Sequence, residues 1–544
     1  MERGNPAGGS PVDVITPGGD YPAVLLEELQ TAEIVVRAEV VPPDDSAAHS
    51  VARNTLILLV SQIITFSLTL VWTVVLLHML GKDNYGKLST ALSLAWIGAV
   101  FMDAGISTYL TKQVARDRAH TAVLLSSACA LRVATTILFY GAILGAAVLL
   151  GYDVDTVQAT ALVGASIVVA AFTQATAATF QGHEDMLWPA LGTIAEKTTT
   201  TVLSVILLLL GYGLQAVATV LLLGALANFT LVGLRAWRRG WIRFRLDPVL
   251  VRKLIVGGAP FFLWASFGVI YQRNAVLQLE ALTNSGVTGQ FSAAARMYET
   301  LSFVPSIFQI AVMPVLARSF VHSTGAMHAH ARRSVDLILL AALPSSVGVA
   351  LFAPQIIALI ADNTAFAGSV LPLRILGVSL LPLYVDMILA TILISVDRQR
   401  QWSSIAIIAA ILNPLLNWWL IPETQRQWGN GAIGAAFVTL ATEVMIFFFC
   451  IFLVPRGILA RSNLVIAGKT VLATAAMGLV LWAALPVLNG LAPGGGTSKL
   501  GAALVLALGA ALGGAVFGGL AWLLGAVGPD ELRLLRRALQ RPAA

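Results

Sequence analysis

The sequence is poor in cysteine and in charged residues. Its only two cysteines, Cys129 and Cys450, lie inside apolar runs, which predicts small buried side chains and excludes a disulfide scaffold. Charged residues make up 11% of the 544-residue chain, whereas ordinary soluble domains have about 25%. No charged stretch is long enough to form a catalytic domain, which excludes a soluble enzyme with a membrane tail.

The motifs of common enzyme classes are also absent from the sequence. There is no Walker A phosphate loop, no set of cysteines and histidines at metal-binding spacing, and no G-x-S-x-G nucleophile motif. ATP hydrolysis and covalent catalysis therefore have no candidate residues. We expect a protein that is not an enzyme and that uses neither a metal nor an organic cofactor.

Apolar residues dominate the sequence instead. They form 57% of the chain, and a helix that crosses a bilayer uses about 20 mostly apolar residues. Continuous apolar runs do not alternate as the strands of a β-barrel would. The runs lie at residues 54–79, 88–110, 120–149, 157–179, 188–210, 214–234, 254–281, 288–317, 334–360, 368–395, 403–420, 432–454, 463–488 and 500–526. The sequence thus predicts an all-α integral membrane protein with about 14 transmembrane helices.

The distribution of Lys and Arg predicts the orientation of these helices. One set of connections, together with the two terminal segments, holds 24 basic residues. The opposite set holds four, namely Lys82, Lys87, Arg426 and Lys499. Because basic residues stay on the cytoplasmic side, we expect a multi-pass protein of the cell (inner or plasma) membrane with both termini in the cytoplasm.

The terminal segments differ in charge from the helical part. Residues 1–52 carry a net charge of −7 and are predicted to form a disordered cytoplasmic tail. Residues 529–544 are predicted to form a basic cytoplasmic tail. The remaining positive charge suits loops that face anionic lipid headgroups, so we expect membrane lipid as a partner and no nucleic acid.

Two halves of the chain carry matching landmarks. Gly86-x-Leu-Ser in the second helix region matches Gly289-x-Phe-Ser in the eighth. An Ala-Arg pair ends at Arg116 and Arg318, 30 and 29 residues after those glycines. We predict two six-helix lobes, at residues 53–240 and 241–460, related by a pseudo-twofold axis along the membrane normal. Helices 13 and 14, within residues 461–528, are additional. Two lobes that face a central cavity indicate transport.

Basic residues inside the helices indicate what is transported. A charge near the bilayer centre costs about 2.5–3.5 kcal/mol. Arg273 and Arg296 flank a hinge near Ser285 at similar distances, so a helical hairpin brings their guanidinium groups to one depth. The two groups repel unless an anion lies between them, and the planar guanidinium suits phosphate. We predict a phosphate site; the alternative is local pairing with Glu299 or Glu280.

Arg132 and Lys197, at roughly mid-depth in the first lobe, join this candidate headgroup site. Lys197 adjoins Glu196, but adjacent positions on a helix point in different directions. Lys197 is therefore expected to face either the cavity or a carboxylate such as Asp103, and pairing within the lobe is favoured. The sequence alone leaves the direction of Arg132 open.

Two carboxyl groups, Asp386 and Glu443, also lie inside predicted helices. Burial disfavours an ionised carboxyl group, so such a group in a transporter can take up a proton or Na⁺. We predict Asp386 as a site of H⁺ or Na⁺ coupling. For Glu443 we favour a hydrogen-bonded acid that stabilises the helix bundle.

Several blocks of sequence resemble the Wzx-type polysaccharide flippases of the multidrug/oligosaccharidyl-lipid/polysaccharide exporter (MOP) superfamily. They run in order between residue 53 and about residue 460. Among them are LGKDNYGKLS (80–89), MDAGISTYLTKQVAR (102–116), GQFSAAARMYE (289–299), ILNPLLNWWLIP (411–422) and GNGAIGAAFVTLATE (429–443). The pattern departs at Asn274, where an acid often follows Arg, and at His78, which replaces a common Arg.

This resemblance implies a flippase that works by alternating access. It would move polyprenyl-(pyro)phosphate-linked oligosaccharide from the cytoplasmic to the outer leaflet for surface polysaccharide synthesis. Cavity bases, Arg296 among them, would hold the pyrophosphate, and helices 13 and 14 would accommodate the polyprenyl chain. Candidate protein partners are a glycan polymerase or a glycosyltransferase.

Three other functions stay open. A MurJ-type flippase of the lipid-linked peptidoglycan precursor typically places arginines within its first two helices, which have none here. A cation-coupled drug antiporter usually has twelve helices and a cavity of acids and aromatics. A non-transporting scaffold for glycosyltransferases would depend on the acidic tail rather than on Arg296.

Overall fold

The computed structural model describes residues 45–243, 247–361 and 364–526. The chain divides into two compact units, Met1–Thr55 and Leu56–Ala544, and the candidate site lies in the second. Residues 1–44 of the predicted acidic tail and the whole of the predicted basic tail lie outside the described residues. The predicted roles of both tails stay predictions.

The described residues form sixteen α-helices and no β-strand. In chain order they are α1 (Asp45–Met79), α2 (Gly81–Asp103), α3 (Ile106–Arg116), α4 (Thr121–Leu149), α5 (Val154–Gly182), α6 (Leu187–Leu209), α7 (Leu214–Arg238), α8 (Pro248–Leu282), α9 (Ser285–Leu301), α10 (Phe303–His322), α11 (Thr324–Ile360), α12 (Val370–Ser395), α13 (Gln399–Trp428), α14 (Gly431–Leu453), α15 (Arg461–Leu491) and α16 (Lys499–Leu523). Short 3₁₀ helices occur at Arg118–His120, Ala367–Ser369 and Pro493–Gly496.

These helices provide 14 segments long and apolar enough to span a membrane, one for each predicted run, which confirms the multi-pass prediction. Several helices extend beyond their apolar runs. The run at residues 403–420, for example, lies within α13, whose polar ends continue the helix. Polar residues such as Gln propagate a helix well, so hydropathy marks the hydrocarbon crossing rather than the helix ends.

The two spans that carry the matching glycine motifs are both interrupted. The span Gly81–Arg116 breaks between α2 and α3, where Ala104 and Gly105 adopt positive φ angles of 47° and 72°. The span Ser285–Phe320 breaks at Ser302, between α9 and α10. The two interruptions differ in form, because Ser302 keeps helical angles (φ −64°, ψ −11°) whereas Ala104 and Gly105 do not.

Helix packing also repeats between the two halves, which we define as α1–α7 and α8–α14. In the first half α5 packs against α4 and α7, and α6 packs against α7. In the second half α12 packs against α11 and α14, and α13 packs against α14. Helices α15 and α16 pack against each other and against α11. The predicted all-α architecture of six plus six plus two spans is confirmed, and the exact lobe boundaries stay a prediction.

Candidate functional site

A chamber of about 830 Å³ lies between the two halves. Helices α1, α2, α5, α6 and α7 of the first half and α8, α9, α12, α13 and α14 of the second form its wall. The wall runs from Tyr85, near the start of α2, to Gln181 and Pro189 at the opposite ends of α5 and α6. The chamber thus extends towards the end predicted to be cytoplasmic. A second pocket of about 390 Å³ shares Lys197 and Arg296 with it.

The glycines of the repeated motif close the other end of the chamber. A side-chain carbon added at Gly86 would lie 1.8 Å from the carbonyl oxygen of Ser285, and one added at Gly289 would lie 1.9 Å from that of Lys82. Only a residue without a side chain allows this approach. Helices α2 and α9 therefore meet backbone to backbone at the end predicted to face outwards.

Arg273 and Arg296 come together on the chamber wall. Nη1 of Arg273 lies 2.9 Å from Oε1 of Glu299, and Nη1 of Arg296 lies 3.2 Å from Oε2 of the same carboxylate. Both guanidinium groups are partly exposed. Glu280, the other candidate partner, instead accepts hydrogen bonds from Thr90 and Ser285. Two positive charges share one negative charge, so this cluster keeps one net positive charge beside the chamber.

Lys197 of α6 lines the chamber and the adjoining pocket. Its Nζ lies 3.2 Å from Oε1 of Glu196, whose other oxygen accepts a hydrogen bond of 2.9 Å from Asn228. The expectation that neighbouring positions on one helix do not pair was wrong here, because the four-carbon lysine side chain is long enough to bend back. Asp103, the alternative partner, pairs with a different base.

That base is Arg132, which the structure places outside the chamber. Its side chain is fully buried on α4 and donates to the carboxylate of Asp103, to the Ala171 carbonyl oxygen, and to Oγ of Ser107 at 2.7 Å. These contacts connect α4 to the break between α2 and α3 and to α5. Removing one partner of such a buried pair would leave an uncompensated charge, and Arg132 does not line the chamber. We therefore remove Arg132 from the candidate headgroup ligands.

Of the two acids predicted inside helices of the second half, Asp386 and Glu443, it is Glu443 that lines the chamber. Glu443 lies on the wall and accepts hydrogen bonds from the hydroxyl groups of Tyr271 (2.9 Å) and Tyr298 (3.3 Å). Asp386 lies next to Glu443, is 3% exposed, and has one oxygen without a hydrogen-bond partner in the described part of the chain. The two acids form one buried carboxyl pair, which touches the chamber through Glu443.

An amide network continues from this carboxyl pair. Nδ2 of Asn274 donates to Asn413 (3.2 Å), and Nδ2 of Asn417 donates to Asn274 (3.1 Å) and Asn413 (2.9 Å). Asn413 in turn donates to Thr442 at 3.1 Å, and the Thr442 and Tyr271 hydroxyl groups lie 3.2 Å apart. Asn274, where the resembling flippases often carry an acid, is thus a neutral member of a network that joins α8, α13 and α14.

Known proteins share the fold that forms this chamber. Residues 51–320 match the model of the family described as polysaccharide biosynthesis protein. The structure is similar to that of the lipid II flippase MurJ in an inward closed conformation, with a TM-score of 0.65 and 14% identity, covering 90% of this chain and all of that one. The chain has the fold of the MOP superfamily. The family resemblance predicted from the sequence is confirmed.

Multidrug resistance transporters of the MATE family share the fold. An inward-facing multidrug resistance MATE family transporter aligns with a TM-score of 0.59 and 17% identity, over 71% of this chain and 94% of its own. An outward-facing MATE transporter aligns with a TM-score of 0.51 and 15% identity, over 73% and 95%. Identities this low show the fold alone. No curated protein sequence matches this MOP-fold chain significantly.

Sequence reasoning missed several residues of the chamber wall in this MOP-fold protein. The sequence predicted Glu443 as an acid that stabilises the bundle, gave Glu196 only as the neighbour of Lys197, and predicted no role for Gln174 and Gln181. A signal for the glutamines exists, because a spacing of seven residues places both on one face of a helix. No comparable signal exists for the acids, since an apolar span gives no amphipathic face from which to read their direction.

Proposed function

We propose that the protein is a flippase that moves polyprenyl-(pyro)phosphate-linked oligosaccharide from the cytoplasmic to the outer leaflet of the plasma membrane. It is a transporter with both termini in the cytoplasm, and it works by alternating access between the two halves. The observation that carries the proposal is the basic cluster on the chamber wall. Arg273 and Arg296, from two adjacent helices, share Glu299 and keep a net positive charge.

The chemistry of this cluster suits a phosphate headgroup. Each guanidinium gives one hydrogen-bonding group to Glu299 and retains further N–H donors in the same plane. Lys197 brings a third base from the first half. A ligand held by both halves can favour one conformation of the transporter over another, since it binds the two arrangements with different affinity.

Helices α15 and α16 are proposed to accommodate the polyprenyl chain.

The test is transport of fluorescent polyprenyl-pyrophosphate oligosaccharide in proteoliposomes, comparing the wild type with Arg273→Ala and Arg296→Ala. A lost charge-assisted phosphate contact is expected to reduce transport about tenfold or more. Arg374→Ala is the matched control, because Arg374 lies in a span, is exposed, and does not line the chamber. Full transport by both chamber variants would refute the headgroup site.

The same assay separates the alternative functions. Transport of the lipid-linked peptidoglycan precursor alone would favour a MurJ-type flippase, and transport of ethidium-like cations alone would favour a drug antiporter. A non-transporting scaffold would move none of these substrates in proteoliposomes. In cells, polysaccharide export that survives Arg296→Ala but is lost when residues 1–52 are removed would favour it.

We further propose that the carboxyl pair Asp386 and Glu443 binds the coupling H⁺ or Na⁺. Two adjacent buried carboxylates repel, so the pair holds a proton or a cation, and Glu443 connects it to the chamber. Asp386→Asn and Glu443→Gln keep the shape of the pair but remove the exchangeable charge. We expect both variants to express normally, to bind substrate, and to lose acceleration of transport by an imposed H⁺ or Na⁺ gradient. Gradient-driven transport at the wild-type rate would exclude this role.

A further inference from the structure

The chamber has an uncharged polar wall that the basic cluster does not use. Gln174 and Gln181 lie on the chamber face of α5, and both side chains are exposed. Within the described ranges neither side chain hydrogen-bonds to another protein group. The other α5 residues that line the chamber are uncharged and include the small Ala170 and Ala177, which leave room beside the two amides.

Trp96 extends this wall from α2, which packs against α5. The side chain of Trp96 is 49% exposed and lines the chamber. Its indole N–H has no partner among the residues that the structure describes. Trp72, another tryptophan of the same wall, behaves differently: it is 8% exposed and its Nε1 donates to Ser204 at 3.0 Å. Of these two side chains, Trp96 is the one that is exposed and keeps a free donor within the described residues.

Trp96 also marks the boundary between the uncharged wall and the basic cluster. The guanidinium carbon of Arg273 lies 5.9 Å from the centre of its ring. Gln174 is eight residues, or about 12 Å, from the end of α5 at Gly182, and Gln181 is close to that end. The uncharged wall therefore continues from the basic cluster towards the predicted cytoplasmic end of the chamber.

We propose that Trp96, Gln174 and Gln181 form a subsite for the uncharged sugar rings that follow the pyrophosphate of the substrate. This inference rests on the proposed function. A glutamine amide has two N–H donors and an oxygen with two lone pairs, so it can bind neighbouring sugar hydroxyl groups. A flat indole covers the C–H face of a sugar ring and offers its N–H to a hydroxyl group. In such a substrate the phosphate joins the lipid to the sugar, which matches the order of the two parts of the chamber.

The experiment measures binding to the full chain in lipid nanodiscs with two probes. One is fluorescent polyprenyl pyrophosphate without sugar, and the other is the same lipid carrying a neutral oligosaccharide. The variants are Gln174→Ala/Gln181→Ala, Trp96→Leu and Trp96→Tyr. The matched control is Gln158→Ala, because Gln158 lies exposed on the same helix outside the chamber.

We expect the wild type and Gln158→Ala to bind the sugar-bearing lipid about tenfold more tightly than the sugar-free lipid, since several hydrogen bonds are added. The double glutamine variant and Trp96→Leu should lose this preference and keep the affinity for the sugar-free lipid. Trp96→Tyr, which retains a flat ring and a donor, should restore most of it. A preference that persists in folded variants would overturn the subsite, as would a wild type that binds both lipids equally. A wild type that binds neither probe would instead refute the proposed function.

Discussion

At the scale of single residues, the turn between α5 and α6 shows how a polar side chain can hold a connection in place. The ring of His183 stacks on Trp241 with 4.6 Å between centres, and Trp241 belongs to the segment that joins the two halves. Thr121 donates its hydroxyl proton to the Arg118 carbonyl oxygen at 2.8 Å. Nε2 of His183 therefore donates to the Thr121 oxygen, also at 2.8 Å. The turn between α5 and α6 is thus attached to the segment that joins the two halves.

This contact predicts a pH-dependent contribution to stability. Partial burial lowers the pKa of His183 below 6.5, and the cationic Arg118 and Arg239 lower it further, against a smaller opposing effect of Asp185. Because the folded pKa is lower than the unfolded one, the contribution is complete above about pH 6.5 and declines as the pH falls. The melting temperature of the wild type should exceed that of His183→Gln most at pH 7.5, and the difference should shrink by pH 5. A pH-independent difference would contradict this.

The error in the sequence-based prediction of Arg132 concerns the direction of its side chain. The depth of Arg132 in its span was predictable, but its direction was not, because an apolar helix has no polar face to reveal which side meets the chamber. Its partner Asp103 lies at the break between two helices, and nothing in the spacing indicated that break. The convergence of Arg273 and Arg296 was predictable, since a hairpin fixes the depth of two residues equally far from its turn.

At the scale of helices, we expect substitutions at the glycine contact between α2 and α9 to shift the protein towards a conformation that is open to the outside. A valine at position 86 or 289 would overlap the facing backbone, so Gly86→Val and Gly289→Val should separate the two helices and expose the chamber to the outside. The readout is labelling of Ser292→Cys, a buried chamber residue, by a membrane-impermeant thiol reagent added outside, in a Cys129→Ala/Cys450→Ala background. We expect labelling to rise at least several-fold.

The control for this prediction is Gly145→Val in α4. A side-chain carbon added at Gly145 has no neighbouring atom within 4 Å, so this substitution should leave labelling unchanged. Labelling of the Gly86 and Gly289 variants at the control rate would show that the glycine contact does not determine closure of the outer end.

At the scale of the whole molecule, the sequence predicted much of the architecture and little of the chamber. Span number and the two-half organisation follow from hydropathy and from the repeated Gly-x-x-Ser motif, because both are local properties of the chain. The chamber depends on contacts between distant residues. The Glu443 and Tyr271 hydrogen bond joins positions 172 residues apart, and no local pattern connects them.

Because Arg273 and Arg296 share the carboxylate of Glu299, we expect substitution of Glu299 to change substrate affinity and transport rate in opposite directions. In Glu299→Gln both guanidinium groups would lose their anionic partner and become available to substrate phosphate. Binding of polyprenyl pyrophosphate should become roughly tenfold tighter, and transport should become slower because release is hindered. Binding in nanodiscs and transport in proteoliposomes test the two effects separately. Weaker binding with slower transport would instead indicate that Glu299 only positions the arginines.

In the proposed transport cycle, the protein also returns without substrate. Glu299 pairs with both Arg273 and Arg296, so in that cycle it would replace the released anion and keep the two cations from being left unpaired. Loading then becomes an exchange of one anion for another, and unloading is the same exchange in reverse. In the proposed cycle, the free energy needed to return the empty protein to its starting conformation therefore depends on Glu299.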